Sequence, residues 1–388
     1  MLKKEFLLLF LLFLLTGCCY TKDNKINNSI SNDEKKNIND TDEIIREEKE
    51  LINDKINSMT LDEKIGQMII TGFDGSEYND DMDRLINEYK VGGVILFARN
   101  IEDSNQMIEL TRALQENNNN IPLFISIDEE GGRVSRLPDD IEKFPAAFDI
   151  GLINNDQTAY ENGKEIGYTL KRLGINLDYA PVLDIYSNLN NTVIGDRAFG
   201  TEESIVSKMG IATMKGIEDA GVIPVIKHFP GHGDTEVDSH YGLPIVYKTL
   251  EELRNFEFIP FVKAIKNGCD VIMVSHIILN EIDSSNPASL SKIVINDILR
   301  RDMNFDKVVI TDDMAMGAIT SIMSIEEACI RSIKAGCDIL LLGNAYEEIE
   351  QVIDSIKLKI YNGEISEEHI NKSVNRILEL KEKYNVME

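Results

Sequence analysis

The chain has 388 residues and a formal net charge of −27, from 67 acidic and 40 basic side chains. So acidic a balance excludes nucleic-acid binding through a general positive footprint and favours solubility. The length and the 43% hydrophobic content suit one large α/β domain or two small ones, long enough to build a core without disulfides.

Residues 1–17 read as a secretory signal: Lys3 and Lys4, ten apolar residues over 6–15, then Thr16-Gly17 before Cys18. The apolar run is too short for a membrane-spanning helix, which needs roughly 20 residues. Leu15-Thr16-Gly17-Cys18 resembles the bacterial lipobox, which implies cleavage before Cys18, a lipid on its sulfur, and an extracytoplasmic protein anchored to the membrane. An ordinary signal followed by an incidental cysteine is the competing reading. Residues 18–45 then carry the anchor cysteine and a flexible tether rich in Asn, Lys, Asp and Ser, with too little apolar surface to offset chain entropy. Residues 46–388 form the body. Its cysteines, Cys269, Cys329 and Cys337, have no metal-ligand spacing and read as small buried apolar residues.

Eight apolar, β-rich runs follow one another in the body, at 68–73, 93–97, 123–127, 175–183, 222–226, 271–275, 307–311 and 339–342. Helical patterns separate most of them, at 83–89, 105–116, 160–173, 204–220, 251–267 and 324–335. Continuous apolar strands belong to parallel sheets covered on both faces. Their alternation with helices predicts βα units, and eight such units predict a single (β/α)8 barrel. An open doubly wound sheet is the main competitor, but no Gly-x-Gly-x-x-Gly follows the first strand and no Walker motif occurs.

A barrel carries its active site at the C-terminal ends of the strands. The residues expected there are Asp128 to Arg133 with Arg136, Asp184, Lys227-His228, His276, Asp312-Asp313 and Gly343-Asn344. The segment 227–240 stands out, because it holds three of the five histidines among Pro230, Gly231 and Gly233 and therefore reads as a loop. Asp312 is placed to act as a nucleophile, or else to be a solvated loop carboxylate or helix cap; Asp313 points differently along the chain. Asp238, two residues before His240, could fix the imidazole tautomer for proton transfer, or be an accidental neighbour. Lys227, Arg136 and Arg197 border apolar runs or glycine turns, where they could hold a polar ligand, and Asp128 could accept from sugar hydroxyls. With no Trp in the chain, a small or terminal sugar is easier to accommodate than a long polysaccharide. A zinc site built from His228, His232, His240, Asp238 and Asp312 is a rival reading, and a sugar-binding lipoprotein without catalysis is another.

Taken together, the body resembles glycoside hydrolase family 3, in its β-N-acetylglucosaminidase branch. The resemblance is carried by Met59-Thr60-Leu61-Asp62-Glu63, Asp128-Glu129-Glu130-Gly131-Gly132-Arg133, Ala180-Pro181-Val182-Leu183-Asp184, Gly195-Asp196-Arg197, Pro287-Ala288-Ser289, Thr311-Asp312-Asp313-Met314 and the whole of 227–240. It implies a retaining exo-β-N-acetylglucosaminidase with Asp312 as nucleophile and an Asp238–His240 acid/base dyad. It also implies sugar contacts from Asp128, Arg136, Arg197, Lys227 and His228, no cofactor, and a substrate of muropeptide or cell-wall fragments. His232 is expected to hold the loop's shape. A phosphorylase of the same family is the alternative. The chain is expected to be a monomer. Asp178-Tyr179, where the branch often has Asn-Phe, is the departure most able to alter packing under the site.

Overall fold

The computed structural model describes residues 46–235 and 242–387, which fall in two compact units, 1–51 and 52–388. Within the first, residues 46–51 are helical and exposed. The second is built on eight parallel strands: β1 (Ile69–Thr71), β2 (Gly93–Leu96), β3 (Phe124–Ile127), β4 (Leu177–Asp178), β5 (Ile223–Phe229), β6 (Val271–Val274), β7 (Val308–Asp313) and β8 (Ile339–Leu342). They pair in chain order, and β8 meets β1 with Leu340 opposite Ile69, closing the barrel. Every strand residue is buried except the last two of β7, Asp312 and Asp313, which are partly exposed. Burial on both faces is what makes these segments read as unbroken apolar runs.

All eight expected strands are present, and two of the changes in their extent bear on the site. The fourth shrinks to two residues, and Val182 rejoins the sheet only through a single bridge to Lys227. The fifth is longer than expected and runs through Lys227 and His228 to Phe229, so these polar residues lie in the strand and not in a loop. The reason is packing: the Phe229 ring sits 5.4 Å from both Phe258 and Phe261, which draws the strand's end under a helix. The helix expected over 251–267 is likewise two, Leu250–Asn255 and Phe258–Lys266. Phe256 leaves helical geometry between them, and Pro260 sits in the first turn of the second, where its missing N–H costs nothing.

Local signals place the helices around the barrel. Thr60 accepts from the Glu63 backbone N–H while Glu63 accepts from that of Thr60, a capping box that starts the helix Leu61–Gln67. Further along, Gly66 is required by close approach, since a Cβ there would lie 2.3 Å from the Lys90 carbonyl oxygen.

At the C-terminal end of the strands, four side chains make a floor: Ile95 of β2, Tyr179 just after β4, Met273 of β6 and Leu341 of β8. A layer of four side chains drawn from alternate strands is how a barrel of this size fills its interior. The opposite end is closed by Lys381 of the helix Glu367–Lys383, whose fully buried ammonium donates to Gln67 and to the carbonyls of Gly92 and Pro122. The three body cysteines are buried and free, as expected. No helix among the described residues is long and apolar enough to cross a membrane.

Candidate active site

A cavity of about 320 Å³ opens above that floor, at the end of the barrel where the sequence pattern predicts it. Asp128, Arg136, Arg197, Lys227, His228 and Asp312 all line it. The structure therefore brings six of the eight candidate catalytic and sugar-contacting residues together. The other two, Asp238 and His240, lie outside the described residues, as does Cys18.

The charged groups form an alternating chain. The Lys227 ammonium, at the end of β5, is buried and lies 2.7 Å from Asp128 and 2.7 Å from Glu130. Arg197 grips Glu130 in a fork, with both nitrogen–oxygen distances 2.8 Å, a bidentate geometry that fixes the guanidinium plane. Burial alone would raise the Glu130 carboxyl, but Arg197 and Lys227 outweigh it and hold it well below the usual carboxylate range. Burial likewise works against the Lys227 ammonium, and Asp128 with Glu130 overcomes it, so its pKa is raised. The result is a set of donors and acceptors that are already oriented and need little reorganisation when a polyhydroxylated ligand arrives.

Arg136 is the cation of the cavity with no carboxylate partner among the described residues. Its place is set from behind by Glu129, which accepts from the Arg136 backbone N–H at 3.0 Å and from the Ser135 hydroxyl at 2.7 Å. Glu129 is in turn held by Asp178, which accepts from its N–H at 3.0 Å. Asp178 is completely buried, its second oxygen has no hydrogen-bond partner among the described residues, and burial pushes its carboxyl far up. Beside it, the Tyr179 hydroxyl meets Ser126 at 3.0 Å and presents its ring to the cavity. The Asp-Tyr pair thus shapes the ground under the charged residues of the cavity.

Asp312 and Asp313 both line the cavity but differ in how they are held. Asp313 is tied down: it accepts from the N–H groups of Ala315 and Gly343 and from the Asn344 amide. Asp312 accepts from the Asp313 N–H at 2.8 Å and otherwise faces the cavity. Burial would raise its carboxyl, yet His276, that N–H and Lys227 bring it below its ordinary value. The direction of that shift favours the ionised carboxylate. His276 does not line the cavity; it is buried between the Ser289 hydroxyl and the Asp313 carbonyl, and so braces the β7 end.

The segment beyond β5 is pinned by Asp184, which accepts from the backbone N–H of His232 at 2.6 Å. His232 meets the Thr235 hydroxyl through Nδ1 at 2.7 Å, and its carbonyl accepts from Asn191, contacts that hold the turn. Gly233 packs so closely that a Cβ would fall 1.7 Å from the Ile185 carbonyl oxygen. Among the described residues, no three His, Cys, Asp or Glu side chains are grouped as a metal ion would need.

Sequence reasoning places Glu130 and Asp184 at the working end of the barrel but gives neither a role in the site. The signal for Glu130 was charge balance, since two cations entering one buried place demand a carboxylate between them. For Asp184 it was position, at the end of a strand beside the histidine-rich segment.

Comparison with known proteins settles the family. The profile for the glycosyl hydrolase family 3 N terminal domain matches residues 60–380. The chain belongs to glycosyl hydrolase family 3. Among its family 3 relatives, a protein named β-hexosaminidase A from Pseudoalteromonas piscicida is 35% identical over 329 residues, covering 78% of this chain and 55% of that one. The chain thus spans about half the length of that relative. A protein named β-hexosaminidase LpqI from Mycobacterium tuberculosis is 32% identical over 329 residues, 82% of each chain. The solved structure of a family 3 β-N-acetylglucosaminidase from Paenibacillus sp. str. FPU-7 superposes with a TM-score of 0.83 at 40% identity, covering 85% of this chain and 63% of that one. In this family 3 barrel the matched region takes in all eight strands and every described residue of the cavity.

Proposed function

We propose that the protein is a retaining exo-β-N-acetylglucosaminidase. The observation that carries this reading is the cavity itself: an ionised, cavity-facing Asp312 opposite a fixed array of Asp128, Lys227, Arg197 and Arg136, in a family whose relatives are named β-hexosaminidases. A cavity of about 320 Å³ fits one terminal sugar better than a run of them, which supports exo action.

In this reading an Asp312 oxygen attacks the anomeric carbon as the glycosidic C–O bond breaks. His240, oriented by Asp238, gives its proton to the departing oxygen. Water then attacks the same carbon, His240 takes the water's proton, and the Asp312 carboxylate is released. Two inversions give net retention. Using an imidazole as the acid, in place of a second carboxylate, avoids two repelling anions across the bond. The cell-wall substrate and the location outside the cytoplasm, with a lipid on Cys18, belong to the same proposal and are supported by the signal-like opening and the tether composition. Recovery of the full-length protein from the soluble cytoplasm, with Cys18 unmodified, would count against the location.

The test is product analysis with 4-nitrophenyl N-acetyl-β-glucosaminide and with the N-acetylglucosaminyl–muramyl disaccharide, with and without phosphate and after exhaustive chelation. Free N-acetylglucosamine of retained anomeric configuration, formed equally in all conditions, is the expected result. A sugar 1-phosphate would make it a phosphorylase, loss on chelation would make it a metal enzyme, and no turnover would leave a binding protein.

A further inference from the structure

His228 sits in the cavity wall with both ring nitrogens engaged. Nδ1 lies 2.6 Å from an oxygen of Asp184, and Nε2 lies 3.3 Å from Nη2 of Arg197. An arginine guanidinium has donors only and is not deprotonated in proteins. Its N–H can meet Nε2 only if Nε2 offers a lone pair. A proton on Nε2 would set two N–H groups against each other and would add a second cation beside the first. The proton on the ring must therefore be on Nδ1, and the ring must be neutral.

Asp184 is built to impose that state. It is completely buried, and it accepts from the His228 backbone N–H, from the His232 backbone N–H at 2.6 Å and from the His228 ring. Three converging donors favour the ionised carboxylate, which has no proton to give, so the hydrogen between it and Nδ1 comes from the ring. The same carboxylate also joins the stretch after β4 to the segment after β5, so the ring's orientation and its tautomer have one origin. Phe229, locked under Phe258 and Phe261, keeps the strand from sliding away from it.

We propose that Asp184 is a positioning residue that fixes His228 as the neutral Nδ1–H tautomer, so that Nε2 and the Arg197 guanidinium stand side by side as an acceptor–donor pair matched to one sugar hydroxyl. A hydroxyl entering there takes the Nε2 lone pair over from the Arg197 N–H, donating to Nε2 while it accepts from Arg197. The wrong tautomer would present two donors, and the hydroxyl could satisfy only one of them. The assignment of the ring proton stands on the sugar-free geometry alone. Its consequence for the sugar rests on the proposed glycosidase reading.

The test begins with the unaltered protein. Long-range 1H–15N spectra of protein labelled at histidine resolve few rings, since the chain has only five histidines. The His228 signals are those lost in His228→Gln. At pH 7 the expected pattern is a protonated Nδ1 and a bare Nε2; a proton on Nε2 overturns the proposal. In Asp184→Asn the carboxamide can donate as well as accept, so the preference for Nδ1–H should disappear. kcat/KM for 4-nitrophenyl N-acetyl-β-glucosaminide should fall about tenfold or more. An unchanged tautomer with unchanged kcat/KM in that variant also overturns the proposal. If the variant does not fold, the wild-type spectrum decides. If the wild type shows Nδ1–H but cleaves no N-acetylglucosaminide, the glycosidase reading fails and the tautomer assignment stands.

Discussion

Asp312→Asn is expected to lower turnover of an N-acetylglucosaminide by roughly 10³-fold or more while leaving sugar binding nearly intact. The substitution keeps shape and the contact with the Asp313 N–H, which an amide oxygen still accepts at the observed 2.8 Å. What it removes is the negative charge that the proposed mechanism directs at the anomeric carbon. The proposed sugar-contact wall, Asp128, Lys227 and Arg197, is tied together without Asp312. Calorimetry with N-acetylglucosamine should therefore give a similar affinity for both forms, while kcat collapses. Near-normal turnover would remove Asp312 from the nucleophile's role. His240→Ala supplies the contrast: its losses should be small for 4-nitrophenolate, which leaves without a proton, and large for a sugar alcohol, which does not. Equal losses on both substrates would argue against an acid.

Lys227→Met should be the most damaging change to the site's stability. Lys227 is buried, and its ammonium is 2.7 Å from each of two carboxylates. Removing one member of a buried ion pair leaves an uncompensated charge and costs about 3–5 kcal/mol. For a body of this size that is a drop in Tm of roughly 4–7 °C. Glu130, with only 3% of its side chain exposed, then depends on Arg197 alone. Its carboxyl is depressed in the folded protein, so its share of stability is present above the ordinary carboxylate pKa and is lost as pH falls through the folded value. Without Lys227 the folded value rises, and acid unfolding should begin at a higher pH. Adding Glu130→Gln removes the stranded charge and should recover part of the lost Tm. A Lys227→Met protein as stable as the wild type between pH 4 and 8 would show that the cluster contributes no stability. In the same variant KM should rise, since Lys227 also lines the cavity.

The barrel was legible because its signal is redundant. Each strand is apolar along its length, each helix shows one apolar stripe, and eight repetitions correct local errors. The fifth strand's end was misread for a physical reason: Lys227 and His228 are polar, and polarity mimics a loop when the groups that neutralise it, Glu130 and Asp184, come from other strands. The break at Phe256 was hidden because the aromatic packing that causes it is tertiary. At the site, the residue types were visible, but the pairing was not. Nothing local says that Asp313 is bound to Asn344 while Asp312 is not, since that depends on how β7 and β8 sit side by side. Glu129 and Glu130 are neighbours with opposite fates, one bracing a turn and the other gripping two cations, and only side-chain direction separates them.

The floor and the walls of the cavity come from different strands. Ile95, Tyr179, Met273 and Leu341 lie on or just after the even-numbered strands, whereas Asp128, Lys227, His228 and Asp312 lie on or just after the odd-numbered ones. Depth and chemistry are therefore separate variables in this barrel. A larger or smaller side chain at Met273 changes how far a sugar's acyl group or ring can sink, yet it moves no charge and breaks no ion pair. Descendants of such a scaffold can explore new ligand shapes one floor tile at a time while the bond-breaking apparatus above stays constant.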